Sequence, residues 1–519
     1  MEYKKRNDIE NILLNDNSKI YLEELTEKKL SLRSHKISKI FQIKRKNILE
    51  QTKSSLDILD KFHQFQIYKF STSFERIISY LNSSDDIKIN YILNQLNAYF
   101  KYNEPDITEQ KIIIEGQFLE ILLNLGNNFL KNEKTEGNII LIIWIFINIQ
   151  IYKEGNGDYL KVLYSQNFLD FYNNCFIYSN SEEIMNEIIL LLYHMIKINE
   201  EINEEINIDI LKSKVFESIL NFSLNVDKDL ELIESIIKLI ISCFNITEEE
   251  ELNENEINII DKCLIILKNE SEIDDDNILL LCFKGFYLLS KLNDRYKFNE
   301  KMITLKIPEL ILKTNKNKRQ ILLYALKTLS NILTVCDDDL DKINMKEILH
   351  YYNSILVKFD EDDKLVYIIF NGLYNITDSK YINLIKSCII WKEEQIQKYL
   401  NMNEKIQMLF IKIIKYIINI ENNSSLNFVY ETKVLEYLIY LISNSLWDKK
   451  ILRKILKLID NYLSRFNEEK KNDIEYAIVF NKFINWLNLF SDSINYEDDI
   501  LDYIKEKINY SFYSNNIFI

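Results

Sequence analysis

The chain has 519 residues, 47% of them hydrophobic, and 79 Asp and Glu against 64 Lys and Arg give a formal charge of −15. Only 7 Gly and 2 Pro are present, which excludes Gly-rich phosphate loops and turn-dense sandwiches or barrels and predicts long helices joined by short polar turns. Six scattered Cys, none in a CxxC pair, read as buried thiols of a reducing compartment, and four dispersed His, with no carboxylate or second His at ligand spacing from His194, leave no legible metal site.

The opening residues, Met1 to Arg6, lack the apolar core of a signal peptide. The longest apolar run, Ile139 to Ile147, is far short of the roughly 18 residues that cross a bilayer. A soluble, intracellular protein is expected. Between Lys28 and Lys53, nine basic residues (Lys28, Lys29, Arg33, Lys36, Lys39, Lys44, Arg45, Lys46 and Lys53) stand against one acid, Glu50, a local net of +8. Residues 54 to 519 carry −20, so a basic arm precedes an acidic body. Leu30, Leu32, Ile37, Ile40, Phe41 and Ile43 interleave the charges, so the arm can form a helix on a surface that neutralises it. Alone, its like charges repel and it buries little. Such a run reads plainly as a solvated basic helix or a nonspecific nucleic-acid arm. The acidic body, which repels nucleic acid, favours a protein partner or an intramolecular one.

From Phe74 a repeat sets in. Its first unit runs Phe74 to Leu81, a polar turn over Asn82 to Asp86, then Tyr91 to Phe100; the second opens at Glu109, with Gly116 as the expected break between two helices. The helix Ile139 to Gln150 is apolar on nearly all sides and is expected to be the buried one. Runs of this kind end in Asn or Lys, usually followed by Ile or Leu, at 148, 197, 245, 291, 331, 375, 419 and 461. The intervals are 49, 48, 46, 40, 44, 44 and 42 residues, near the roughly 40 to 47 of armadillo and HEAT units, and predict an all-α solenoid.

Four residues before the polar position, Trp144, Tyr193 and Tyr287 put an aromatic ring one helical turn away on the same face. Repeated along a concave surface, these pairs form a ladder of aromatic slots and amides. Asn can pair with the backbone of an extended peptide, and Lys or Arg stems can lie between rings at about 0.5 to 2 kcal/mol each. A Trp or Asn at helical spacing also serves as core or cap, and it is the recurrence of Asn, a poor interior helix former, that favours a ligand face. Acidic runs at Glu248 to Glu251, Asp274 to Asp276, Asp337 to Asp339 and Asp360 to Asp363 are either solvated turns or one negative edge of the groove, which would attract a basic ligand in a salt-sensitive way.

The order of a basic arm, about ten armadillo-like units and aromatic-x-x-x-Asn pairs resembles the importin alpha (karyopherin alpha) family over nearly the whole chain. Leu32-Arg33-Ser34-His35-Lys36 and Ile43-Lys44-Arg45-Lys46-Asn47-Ile48 resemble its importin-beta-binding segment. The run Ala325 to Thr334 is similar to its sixth repeat, Asn375-Ile376-Thr377 to its seventh, Leu458 to Asn461 to its ninth and Tyr496 to Lys505 to its closing helix. The resemblance implies a right-handed armadillo superhelix over 74–510, after a basic segment over 1–55 and a linker over 56–73 and before a tail over 511–519. It implies a major signal-binding groove at Trp144, Asn148, Tyr193, Glu201, Asn245 and Tyr287, and a minor one at Asn331, Thr334, Asp337, Asn375 and Asn419. Lys28, Lys29, Arg33, Lys36, Lys39, Lys44, Arg45 and Lys46 would bind importin beta, with Lys44, Arg45 and Lys46 folding back into the major groove in its absence.

The implied function is that of a non-enzymatic nuclear import adaptor, without cofactor, metal, nucleic acid or membrane, shuttling between cytoplasm and nucleus. Its partners would be importin beta, cargo with basic nuclear localisation signals, and an export receptor acting with Ran-GTP. Of the family's Trp positions only Trp144 is kept; Ile241, Asn371 and Lys415 replace others, and Lys197 stands where Asn belongs. Lys197 and Lys415 would repel a cationic ligand. A divergent scaffold that binds proteins without reading localisation signals is the alternative, and an enzyme is disfavoured because no nucleophile with a base, carboxylate pair or cofactor loop stands out.

Overall fold

The computed structural model describes residues 67–103, 105–115, 117–131, 136–150, 162–179, 181–199, 210–225, 230–244, 252–292, 296–314, 318–335, 337–377 and 380–419, with short pieces between 428 and 462. Every regular element among them is helical. The chain divides into a unit ending at Tyr102 and one beginning at Asn103.

In the first unit α1 (Phe70–Leu81) packs on α2 (Asp86–Tyr102). The helix starts at Phe70, ahead of the expected Phe74, because Phe70 is an anchor: it is fully buried, with ring centroids 5.2 Å from Phe100 and 6.3 Å from Tyr99.

The second unit repeats two or three helices at a time. Its successive groups are α3 (Ile107–Glu115), α4 (Phe118–Leu130) and α5 (Glu136–Gln150); α6 (Gln166–Tyr178) and α7 (Glu182–Asn199); α8 (Lys214–Asn225) and α9 (Leu230–Cys243); and α10 (Glu254–Glu270) and α11 (Asp276–Lys291). They continue as α12 (Phe298–Thr304), α13 (Ile307–Leu312) and α14 (Arg319–Ile332); α15 (Asp337–Leu340), α16 (Met345–Lys358) and α17 (Asp363–Asn375); and α18 (Ile382–Ile385), a 3-10 turn (Ile389–Trp391), α19 (Glu393–Leu400) and α20 (Glu404–Asn419).

The last helix of each group stacks on the last helix of the next, so α5, α7, α9, α11, α14, α17 and α20 form one continuous row. These are the apolar runs of the sequence. Ile139 to Phe146 and Leu232 to Cys243 are buried, apart from the half-buried Glu234 and Lys238, as expected for helices that are hydrophobic on nearly all sides. The preceding helices α4, α6, α8 and α10 form a second row behind the first.

Where the rows cross, small residues set the distance. At Gly285 of α11 an added Cβ would lie 2.7 Å from Leu267 Cδ1, and at Gly372 of α17 one would lie 2.5 Å from Tyr352 Oη. Gln117, at φ 58°, precedes α4, and the Gly116 that the sequence singles out lies outside the described residues. Lys306 takes the same conformation before α13 at φ 59°, with Pro308 following in the first turn. Solenoid architecture, helix content and period thus agree with the sequence expectation.

Candidate peptide-binding ladder

Of the residues singled out in the sequence, Trp144, Asn148, Tyr193, Tyr287, Asn331, Asn375 and Asn419 lie on the row of terminal helices. On α5, Trp144 is 5% exposed and Asn148 half-buried. Trp144 therefore contributes chiefly to packing in this conformation, and little of its indole is open to a ligand. Tyr193 on α7 is half-buried, its ring centroid 5.7 Å from that of His194. Burial lowers the pKa of His194, which keeps it neutral at pH 7. Asp337 is the first residue of α15. Glu201, Asn245 and the arm residues Lys28, Lys29, Arg33, Lys36, Lys39, Lys44, Arg45 and Lys46 lie outside the described residues.

From α11 onward the ladder is well defined, and its asparagines reach the repeat before them. Asn331 Nδ2 donates to Ser290 Oγ at 2.9 Å, and Asn371 Nδ2 to Ser330 Oγ at 2.9 Å. Asn375 Nδ2 donates to the Ser330 carbonyl at 2.7 Å, and Asn461 Nδ2 to Asn419 Oδ1 at 2.6 Å. Asn331's own carbonyl accepts Asn299 Nδ2 at 3.1 Å and Thr334 Oγ1 at 2.7 Å. These bonds span 41, 41, 45 and 42 residues, one period each. At 331, 375 and 461 the recurring Asn thus has a structural role: its amide ties one repeat to the one before.

Ser330 accepts two of these bonds and is 2% exposed. Ser330→Ala should lower stability in denaturant unfolding by about 0.5 to 1.5 kcal/mol, and Ser330→Ala with Asn371→Ala should cost less than the two single changes combined. Simple additivity would mean that the bond contributes nothing and that Asn371 is available to a ligand.

The aromatic slots are also engaged from within. Tyr287 of α11 and Tyr324 of α14 have ring centroids 5.9 Å apart, and Lys327 Nζ sits 4.7 Å from the first and 5.5 Å from the second. Lys291 Nζ lies 5.2 Å from the Tyr287 centroid as well. The motif returns two helices on, where Tyr374 and Tyr416 meet at 5.7 Å with Lys412 Nζ 5.0 Å from the Tyr374 ring. A lysine of the chain itself takes the place envisaged for a ligand lysine.

The acidic runs differ from a simple negative edge. Asp275 caps α11 through the Asn277 and Ile278 amides at 2.9 and 3.0 Å, and Asp362 caps α17 through Lys364 and Leu365 at 3.2 and 3.3 Å. Asp362 also takes Arg319 in a two-point pair, at 2.5 Å from Nε and 3.1 Å from Nη2. Burial pushes the Asp362 carboxyl up, but the Arg319 hydrogen bond and the two cap amides outweigh it and hold the group below its ordinary value. Asp360 pairs with Lys398 at 2.6 Å, and Asp276 with Lys318. Asp276, Asp360 and Asp362 thus join one repeat to the next, and Glu248 to Glu251 lie outside the described residues. Asp338 is exposed.

Sequence reading overlooked Ser290, Ser330, Tyr324, Tyr374 and Lys412. A signal was present: Ser precedes the ladder residue at 290 and 330, and Tyr324 lies seven positions before Asn331 on the same face. Cys175, Cys243, Cys263, Cys282 and Cys388 are free and buried, and burial raises all five thiols, Cys388 to about 12. They are packing residues, not thiolates. Among the described residues no group of three or more His, Cys, Asp or Glu could hold a metal ion, and no helix is long and apolar enough to cross a membrane.

No protein-family model matches the chain, and no curated protein matches its sequence. Among solved structures, an engineered protein (target OR497) is 12% identical with a TM-score of 0.57, over 82% of this chain and 95% of that one. A chain from work on the phosphorylation switch that controls the interaction between cadherin and beta-catenin is 12% identical with a TM-score of 0.54, over 87% of this chain and 93% of that one. A designed armadillo repeat protein in complex with the peptide (KR)4 is 16% identical with a TM-score of 0.39, over 50% of this chain and 98% of that one. The stacked terminal helices, the two rows and the period define the class: this chain is an armadillo-repeat solenoid.

Proposed function

We propose that the protein is a non-catalytic adaptor of nuclear transport that holds extended peptides along its terminal-helix ladder and docks on importin beta through the basic arm. The observation that carries the peptide-holding part is the unbroken stack of α5, α7, α9, α11, α14, α17 and α20, which brings residues one period apart onto a shared face. In this reading a basic localisation signal lies along the first half of the ladder, at Trp144, Asn148, Tyr193, Glu201, Asn245 and Tyr287. The minor groove would use Asn331, Thr334, Asp337, Asn375 and Asn419. Lys28, Lys29, Arg33, Lys36, Lys39, Lys44, Arg45 and Lys46 form the importin-beta-binding segment, and the protein shuttles between cytoplasm and nucleus with an export receptor and Ran-GTP.

A second reading, a scaffold that binds proteins without reading localisation signals, draws on a specific observation: Asn331, Asn371 and Asn375 bond between repeats, and Lys327 fills the Tyr287–Tyr324 slot. Reversing Lys36, Lys44, Arg45 and Lys46 to Glu in the full chain separates the two. The adaptor should lose affinity for importin beta by on the order of a hundredfold or more, as expected for complementary charges removed together. An unchanged affinity, or no affinity in the unaltered chain, rejects the adaptor and leaves the scaffold.

A further inference from the structure

The second row of helices carries large apolar side chains that the packing leaves in water. Ile177 and Tyr178 at the end of α6 are 58% and 69% exposed, and Leu224 at the end of α8 and Ile265 late in α10 are 39% exposed each. Bonds between repeats fix their register. Ser218 Oγ of α8 donates to Asn173 Oδ1 of α6 at 2.7 Å, and Lys262 Nζ of α10 donates to Glu217 Oε1 and Asn221 Oδ1 of α8 at 2.8 and 3.3 Å. Ile177, Leu224 and Ile265 follow Asn173, Asn221 and Lys262 by four, three and three residues, one helical turn beyond these bonds on the same face. Phe176 and Phe222 meet edge-on at 6.1 Å and close α6 against α8 at that level. The three helices thus share one apolar stripe. On both sides it gives way to polar ends: Asn128 and Lys131 are exposed at the end of α4, and Lys313 after α13. A contiguous patch rimmed in this way differs from singly scattered surface residues, which need no ligand.

Beyond the stripe each helix turns into the terminal helix of its group, and each turn brings a carboxylate. Glu182 and Glu183 open α7, Glu231 is the second residue of α9, and Asp274 stands two residues before α11. Glu182, Glu231 and Asp274 are exposed and Glu183 is half-buried. None of the four forms an ion pair among the described residues. Lys268, one turn past Ile265, is held by Glu272 at 2.6 Å. The stripe is separate from the ladder: Tyr193 stands eleven residues along α7 from Glu182, about 16 Å at 1.5 Å per residue.

We infer that the stripe docks an amphipathic helix of a partner protein, apolar along one face and rich in Lys or Arg on the flank that meets Glu182, Glu183, Glu231 and Asp274. Charge complementarity sets the sign of that flank. Neighbouring helices pack about 8 to 10 Å apart and seven residues of helix advance about 10.5 Å, so a helix laid across the row brings an apolar residue onto α6, α8 and α10 in turn. An extended segment would bury its own amides and carbonyls against hydrocarbon without partners, whereas a helix closes those bonds internally. An anionic membrane, the other surface that takes up apolar side chains, is repelled by the same carboxylates.

The test is fluorescence anisotropy of the full chain with a labelled helical peptide that carries Leu at every third or fourth position and Lys on one flank, beside a basic localisation peptide with no apolar face. Ile177→Lys combined with Leu224→Lys should weaken the amphipathic peptide by on the order of tenfold or more and leave the localisation peptide as it is in the unaltered chain. Both positions are exposed, and a melting curve for the variant confirms the fold. Glu182→Gln with Glu231→Gln should act in the same direction, less strongly, and flatten the salt dependence of binding. Equal binding of a peptide of the same composition with its Leu scrambled off one face, or no effect of the Ile177 and Leu224 pair, overturns the assignment. Self-association of the chain that this pair abolishes would give the stripe to a second copy. Binding of the peptide only after Leu32→Asp with Ile40→Asp would give it to the chain's own basic arm. Either result rejects a partner helix.

Discussion

Replacing Phe370 with Ala should lower the unfolding free energy by about 3 to 5 kcal/mol, the range for a large aromatic removed from a close-packed core. Phe370 is fully buried on α17, with ring centroids 5.0 Å from Tyr399 on α19 and 5.7 Å from Phe410 on α20. Both contacts are edge-on, so the change removes ring geometry worth about 0.5 to 1.5 kcal/mol per pair beyond area. It also leaves a cavity at the junction of two repeats. A repeat array draws its stability from nearest-neighbour interfaces, so the loss should be local. Hydrogen exchange should accelerate in α17 to α20 and hold its original pattern in α5 to α9. Uniform acceleration along the chain would contradict an array held together by successive interfaces.

Trp144→Ala should have a comparable effect on stability, about 3 to 5 kcal/mol, because the side chain is 5% exposed on a helix buried on nearly every side. A purely ligand-facing Trp would instead cost binding, about 1 to 3 kcal/mol, with stability nearly intact. Trp144→Phe separates the contributions. It keeps most of the apolar volume, so stability should largely return. Affinity for a basic peptide should remain reduced if the indole also contacts ligand. Full recovery of both would make Trp144 a core residue and nothing more.

The fold was legible because its signals are periodic and local. Apolar runs recurring at 40 to 49 residues, with few Gly and Pro, set helix identity and solenoid stacking, and the wholly apolar run at Ile139 is indeed the buried helix. The caps could also have been read locally, since Asp275 and Asp362 each stand one residue before a helix. The ion pair of Asp362 could not: Arg319 and Asp362 are 43 residues apart.

The same limit governs the ladder. Asn331 and Asn375 suggested amides for a ligand because the partner, a serine of the preceding repeat, lies 41 or 45 positions away. Lys327 stands where the resemblance puts a basic residue in the sixth repeat and an aromatic ring in the others, and its place between two tyrosines became visible only when α11 and α14 were placed side by side. The start of α4 shows a smaller limit. Gly116 drew attention by its type and lies outside the described residues; its neighbour Gln117 is left-handed, at a cost of about 1 to 2 kcal/mol that the surrounding packing must offset.

The central claim is that the row of terminal helices is the ligand face, and photo-crosslinking tests it most directly. A basic peptide carrying one benzophenone would be irradiated with the full chain and the adducts mapped by mass spectrometry. Adducts of the basic peptide on the terminal helices α5, α7 and α11, near Trp144, Tyr193 and Tyr287, are the predicted result. Adducts confined to the second row, on α4, α6, α8, α10 or α16, would contradict it.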